Sequence, residues 1–264
     1  MSESRLDITW AQLRADGRNA LIPYLTAGYP TTAASLAALR AAANVADIIE
    51  VGVPFSDPLA DGPTIQRSTF EALQQGMTLR GTLDLIAKAE LPRPVVVFSY
   101  LNPVLSYGIE RFLRDATALG VAGLLLTDLP AGNDPAIESA VAASSLDLIR
   151  LVAPTTRPER LRQAVAGAAG FIYLVARLGV TGASTALAAD LPGSVAAVRA
   201  ATSLPIAVGF GISTPAQAAK VAGLADGVVV GSALVDILGT RGVGAATDFL
   251  RGLRDAMDGV EARR

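Results

Sequence analysis

Residues Asp47 to Thr64 read DIIEVGVPFSDPLADGPT and place acidic residues beside a dense set of turn residues. Glu50 lies among two isoleucines and a valine, a β-branched group typical of a short buried strand. A carboxylate inside an apolar layer is costly unless it is paired or protonated, so Glu50 requires an explanation. The glycines and prolines that follow predict a long, stiff loop that carries Asp57 and Asp61.

These acids have two interpretations. In the structural one, Glu50 pairs with a buried arginine, and Asp57 and Asp61 cap a helix that begins near Pro63. In the functional one, the strand end and its loop present carboxyl groups to a substrate. Three acids within so short a stretch favour the functional interpretation.

Short apolar stretches alternate with helical patterns along the whole chain. The predicted strands cover residues 20–26, 48–51, 95–100, 123–127, 146–152, 171–175, 204–208 and 227–230. Strands that are apolar throughout suit a parallel sheet covered on both faces. We therefore predict a single (β/α)8 TIM barrel, one domain over residues 1–264, with a short extra N-terminal helix through Leu6 and Leu13. An open doubly wound sheet is the alternative, but no Gly-rich dinucleotide fingerprint follows the first strand.

The composition excludes several classes of function. The 264 residues carry a net charge of −2 with no basic cluster, which argues against nucleic acid binding. The chain contains no histidine and no cysteine, so the usual zinc sites and Ser-His or Cys-His catalytic pairs are excluded. Acid–base chemistry must then fall to carboxylates, Tyr, Lys or Arg. No signal peptide or membrane span is evident in the sequence, and we expect a cytoplasmic protein.

Glycines follow the last three predicted strands. They occur in the stretches 179–182, 209–212 and 231–232, where TIM barrels often bind phosphate. Glycine lets backbone N–H groups approach an anion closely, and Ser232 adds a hydroxyl beside a helix start. Each stretch alone could be an ordinary turn, but the three together favour a phosphate site.

Aromatic residues lie on the strands that would face these loops. Phe98 and Tyr100 are on the third strand, and Tyr173 is on the sixth. Phe98 taken alone favours plain core over a ligand contact, whereas the Tyr173 hydroxyl needs a partner. A pocket with phosphate loops on one side and apolar walls on the other suits a phosphorylated substrate with an apolar ring.

The stretch 47–64 closely resembles the signature of the tryptophan synthase alpha subunit family. Four further blocks, in the same order, are similar to that family: YLNP at 100–103, RLGVTG at 177–182, GFGIS at 209–213, and residues 226–233. The likeness extends over nearly the whole chain.

The resemblance implies a lyase that splits indole-3-glycerol phosphate into indole and glyceraldehyde 3-phosphate by a retro-aldol step. It implies that Glu50 is the general acid–base and that Asp61 stabilises the indole ring nitrogen. It also implies a set of substrate-binding residues, which are Tyr173, Thr181, Gly182, Gly211, Gly231 and Ser232, and an indole pocket formed by Phe98, Leu125 and Phe210.

The resemblance further implies a beta-subunit partner in an αββα complex, with Pro54, Asp57 and Asn102 on the loops that face it. The pyridoxal phosphate of such complexes belongs to the beta subunit, so we expect no cofactor and no metal in this chain. Two departures are that residues 129–134 lack the acidic run of the family and that Ala176 stands where serine is common.

Two rival functions remain on the sequence alone. Another phosphate-binding barrel, an isomerase or a synthase, would lack a reason for the pair Asp57 and Asp61 in one loop. A non-catalytic barrel that only activates a beta-subunit partner would keep the fold without the chemistry.

Overall fold

Eight parallel strands form a closed barrel. The structure is a computed structural model that describes residues 3–176, 190–209 and 211–260. Each strand pairs with its neighbours in chain order, and the last pairs with the first. The predicted TIM barrel is confirmed, and the open sheet is excluded. The strands are β1 (Ala20–Thr26), β2 (Ile49–Gly52), β3 (Val95–Ser99), β4 (Gly123–Leu126), β5 (Asp147–Val152), β6 (Ile172–Val175), β7 (Ile206–Gly209) and β8 (Gly227–Val230).

Helices connect the strands and cover the barrel. None of those in the described part of the chain is long and apolar enough to cross a membrane. That the whole chain forms one domain stays a prediction. The helices are α1 (Arg5–Ala15), α2 (Thr32–Ala43), α3 (Pro63–Gln74), α4 (Leu79–Ala89), α5 (Leu101–Tyr107), α6 (Ile109–Ala118), α7 (Pro135–Ala142), α8 (Pro158–Ala164), α9 (Leu191–Ala201), α10 (Pro215–Ala222) and α11 (Ser232–Asp258).

Pro23 does not break β1, although proline cannot donate a hydrogen bond to a sheet. It lies where the strand changes partners: Pro23 is the last residue of β1 in register with β8, and Tyr24 is the first in register with β2. Every residue of β1 is buried. The strand is therefore a central member of the barrel.

Helix α1 covers the N-terminal end of the barrel. The Trp10 ring packs on Phe171 at 5.7 Å between centroids, and a Cβ atom on Gly227 would lie 2.9 Å from Trp10. Leu6 is fully buried, and its side chain packs against Gly123 at the start of β4. Because these contacts meet the first residues of the strands, the open end of the barrel is the carboxyl end.

A buried ion pair ties the last helix to the barrel. Arg254 on α11 lies 3.2 Å from the Asp47 carboxylate, and both side chains are buried. Asp47 Oδ2 also accepts a hydrogen bond of 2.9 Å from the backbone N–H of Leu21. Arg254 in turn donates to the carbonyl of Asn19 at 2.9 Å. The pair therefore joins α11 to the beginnings of β1 and β2.

We expect Arg254→Ala to lower the free energy of unfolding by up to ~3 kcal/mol, because it removes the nearer and more buried of the two arginines that pair with Asp47 and leaves only Arg18, at 3.8 Å. Arg251→Ala on the same helix is the matched control, since its ion pair with Asp248 is exposed and should contribute less than ~1 kcal/mol. Urea unfolding of both variants measures the difference. Equal losses in the free energy of unfolding would show that the buried pair with Asp47 stabilises the fold no more than the exposed pair does.

Candidate active site

Glu50 on β2 is buried, and it has no hydrogen-bond partner in the part of the chain that the structure describes. It lies on β2, its side chain is 0% exposed, and neither carboxyl oxygen has a hydrogen-bond partner within the described residues. Burial raises the pKa of Glu50 from 4.5 to about 8. The group is therefore neutral at pH 7 and can give up a proton to a bound molecule.

The structural interpretation of Glu50 was wrong. The two buried arginines have other partners, because Arg150 contacts Glu138 at 2.7 Å and Arg254 contacts Asp47. No ion pair offsets the cost of burying Glu50 in the part of the chain that the structure describes. The cost is met by protonation instead.

Asp61 lies in the loop after β2 and is drawn into the same region. It is only 8% exposed, and burial raises the pKa of Asp61 from 3.8 to about 6, with a hydrogen bond from Tyr100 acting in the opposite direction. A carboxylate on a loop is ordinarily well solvated, but Asp61 is not. The loop folds back onto Tyr100, whose hydroxyl accepts a hydrogen bond of 2.8 Å from the Ala60 N–H. Asp61 is still ionised above about pH 6.

Neither loop acid caps the following helix. Helix α3 has Gly62 at its N-cap with no side-chain hydrogen bond, so Asp57 and Asp61 do not serve that structural role. Asp57 is exposed and accepts a hydrogen bond from the neighbouring Ser56 hydroxyl. The two acids therefore have different environments, one at the surface and one in the pocket.

The expected apolar wall is present. Phe98 on β3 and Leu125 on β4 are register partners, and both are buried. Tyr173 on β6 is also buried, and its hydroxyl fills the space above Gly209, where an added Cβ would lie 2.2 Å away. Burial raises the pKa of Tyr173 well above 10, with the negative charge of Glu50 as the next cause. Tyr173 and Glu50 thus act on each other electrostatically.

The glycines after β7 and β8 form the other side of the site. Gly211 has φ of +83°, a conformation that glycine adopts without strain. Gly231 is the N-cap of α11 and makes no side-chain cap, so the first N–H groups of that helix are available to an anion. Ser232 is the exposed first residue of the helix. Thr181, Gly182 and Phe210 lie outside the described residues.

Two further tyrosines belong to the site, and the contacts that they make were not predicted from the sequence. Tyr24 on β1 is buried, is the register partner of Glu50, and packs edge-on against Phe98 at 5.2 Å between ring centroids. Tyr100 contacts Asp61, as described above. The only signal in the sequence was a tyrosine at or near the carboxyl end of a predicted strand, which does not show which neighbour the hydroxyl meets.

The residues expected to face a partner are only partly at the surface. Asp57 and Asn102 are exposed, but Pro54 is buried within the chain. Asn102 lies in α5, a short helix that directly follows the third strand. Among the described residues, no group of three or more acidic, histidine or cysteine side chains could hold a metal ion.

Comparison with known proteins assigns the family. The family profile described as tryptophan synthase alpha chain matches residues 10–255. The tryptophan synthase alpha chain of Chloroflexus aggregans is 45% identical over 97% of this chain and 99% of its own length. That of Caulobacter sp. strain K31 is 48% identical over 89% and 87% of the two chains.

Solved structures agree with the sequence comparison. A chain of tryptophan synthase from Mycobacterium tuberculosis has a TM-score of 0.90 and 42% identity, covering 97% of this chain and 99% of its own. The tryptophan synthase alpha subunit from Legionella pneumophila has a TM-score of 0.89 and 32% identity, covering 98% and 100%. With the closed barrel and the buried Glu50 in place, these matches show that the chain belongs to the tryptophan synthase alpha chain family.

Proposed function

We propose that this chain is the lyase that cleaves indole-3-glycerol phosphate into indole and glyceraldehyde 3-phosphate, the alpha reaction of tryptophan biosynthesis. The observation that carries the proposal is the buried, unpaired Glu50 with a pKa near neutrality. A general acid–base works best when its pKa lies close to the working pH. The identity of the substrate follows from membership of the tryptophan synthase alpha chain family.

The chemistry needs one proton donor and one fixed anion. Protonated Glu50 gives its proton to C3 of the indole, which leaves a positive charge on the ring. The Glu50 carboxylate then takes the proton of the glycerol hydroxyl, and the electrons of that O–H bond form the C=O of glyceraldehyde 3-phosphate. The bond from C3 to the glycerol carbon breaks at the same step, and its electron pair returns to the ring and restores neutral indole. Glu50 is protonated again at the end, so no proton is gained or lost overall. Asp61, ionised at pH 7, accepts the indole N–H while positive charge develops on the ring.

The remaining site residues bind the substrate on two sides. The N–H groups at the start of α11, with Gly211, Gly231 and Ser232, hold the phosphate. Phe98, Leu125 and Tyr173 line the space for the indole ring. We retain Thr181, Gly182 and Phe210 as predicted contacts of the substrate.

Glu50→Gln should lower kcat by at least ~10²–10⁴-fold, the usual contribution of a general acid–base, and leave KM within about threefold. Glutamine keeps the size of the side chain but cannot donate a proton of suitable acidity. Glu3→Gln is the control, because Glu3 is exposed beside α1 at the covered end of the barrel. Indole release is measured directly, and a variant that keeps a large fraction of kcat would exclude the proposed role.

The pH profile of kcat/KM should be bell-shaped. Activity needs protonated Glu50, so it falls as pH rises through about 8, and it needs ionised Asp61, so it falls as pH drops through about 6. A pH series of initial rates at low substrate concentration checks both limbs. A flat profile between pH 5 and 9 would contradict the assignment of the two carboxyl groups.

The alternative function is a barrel that only activates a beta-subunit partner. The same assay distinguishes the two, because the lyase releases indole and the activator does not, whether or not a beta subunit is present. The alternative offers no reason to keep an unpaired carboxyl group at the open end of a barrel, where its burial costs stability.

We propose a tryptophan synthase beta subunit as the partner, in an αββα complex that carries pyridoxal phosphate only in the beta chains. This chain would need no cofactor of its own, and a cytoplasmic location stays a prediction. The proposed contact surface combines Asp57 and Asn102 with an apolar hollow of about 700 Å³ between the loop after β2 and α3. In that hollow Leu59 is 86% exposed and Phe70 is 59% exposed. Exposed apolar groups of this size are typical of protein interfaces.

Phe70→Asp should weaken binding of the beta subunit by at least ~10-fold, because it places a charge in the centre of the apolar hollow. Ile8→Asp is the matched control: Ile8 is similarly exposed at 55%, but it lies on α1 at the other end of the barrel. Isothermal titration calorimetry with the cognate beta subunit measures both variants. Unchanged binding by Phe70→Asp would place the contact surface elsewhere.

A further inference from the structure

Tyr24 places a hydroxyl group on the face of β2 that carries Glu50. Its Cα is in register with that of Glu50, and its hydroxyl reaches across to Gly52, where an added Cβ would lie 2.0 Å away. Glu50 and Gly52 are two residues apart on the strand, so their Cα–Cβ bonds point to the same face of the sheet and their Cα atoms are ~7 Å apart. The Glu50 side chain extends over much of that distance. The phenol therefore lies within reach of the carboxyl group.

The electrostatics of the site agree with this geometry. Burial is the largest cause that raises the pKa of Tyr24 well above 10, and the negative charge of Asp61 is the next. A hydrogen bond with Thr26 lowers that pKa, whereas the charges of Glu50 and Tyr100 raise it further. Tyr173 faces Glu50 from β6, on the far side of the barrel. The groups that act on Tyr24 thus include both carboxyl groups of the proposed reaction.

The reaction creates a need for a donor beside Glu50. When Glu50 gives its proton to the substrate, a carboxylate remains in a dry site where its oxygens have no partner among the described residues. A buried charge without a hydrogen bond is costly, and a hydrogen bond to an ionised group is among the stronger ones. A phenol that stays protonated can supply that bond without competing for the proton.

We propose that Tyr24 is a positioning residue whose hydroxyl donates a hydrogen bond to the Glu50 carboxylate formed during the reaction. The inference rests on the proposed function of Glu50. While Glu50 is neutral, the Tyr24 hydroxyl stays near Thr26, and a carboxylate is a stronger acceptor than a threonine hydroxyl. Gly52 is required because any side chain there would displace the hydroxyl.

Tyr24→Phe tests the proposal, since it keeps the ring that packs on Phe98 and removes only the hydroxyl. We expect kcat to fall ~10–100-fold, the effect of losing a hydrogen bond to a charged group, with KM within about threefold. The alkaline limb of the pH profile should move up by ~1 unit, because the ionised form of Glu50 loses its donor.

Tyr29→Phe is the matched control. Tyr29 is also buried, and its hydroxyl likewise fills the space above a glycine, Gly239 of α11, where it interacts with Arg67, whose charge does not change in the proposed reaction. We expect this variant to leave kcat and the pH profile within about twofold and ~0.2 units of the unsubstituted enzyme, because no charge is formed near it. A similar change in both variants would show a structural effect and overturn the proposal.

A direct titration separates this proposal from the proposed function. The ¹³C NMR resonance of the Glu50 carboxyl carbon reports the pKa of Glu50, and it is assigned because it is absent from the spectrum of Glu50→Gln. This titration does not require an active enzyme. A Glu50 pKa that is unchanged by Tyr24→Phe overturns the Tyr24 role even if kcat falls. Activity retained by Glu50→Gln overturns the proposed function, whereas the titration still reports on the Tyr24 contact.

A second substitution covers the case in which Tyr24→Phe does not fold. Replacement of Tyr24 by 3-fluorotyrosine keeps the size and the hydroxyl but makes the phenol a stronger donor. The Glu50 pKa should then move down, opposite to the effect of phenylalanine. A shift in the upward direction, or no shift, contradicts the proposal.

Discussion

The removal of one carboxyl group from water is the constraint on which the site depends. Glu50 has neither an ion pair nor a hydrogen bond within the described residues, so its folded state favours the protonated form. The closed barrel makes this possible, because strands on both sides of β2 shield the side chain from solvent. The stability lost by burying Glu50 keeps its carboxyl group protonated near pH 7, which is the form that the proposed reaction needs.

The architecture could be predicted from the sequence because it depends on local patterns. Runs of β-branched and leucine residues marked the strands, and the bounds of β1 and β8 agree with the structure residue by residue. Helix α5 is not evident from the sequence, because Asn102 and Pro103 directly after a predicted strand are also typical of a strand end. Proline in the first turn of a helix gives up no hydrogen bond, so it can begin a helix there as well as end a strand.

The environments of the site residues could not be predicted in the same way. The pKa of Asp61 depends on a loop that folds back on Tyr100, and the burial of Pro54 depends on how the same loop packs. Tyr24 lies beside Glu50 only because β1 and β2 pair in a particular register. These are contacts between segments distant in sequence, and no local pattern encodes them.

Because α1 packs across the beginnings of the strands, the barrel is closed at that end and open at the carboxyl end of the strands. Trp10 and Leu6 fill the closed end, so the substrate must enter and the two products must leave at the carboxyl ends of the strands. A second protein bound over that open end would therefore limit both substrate entry and product release.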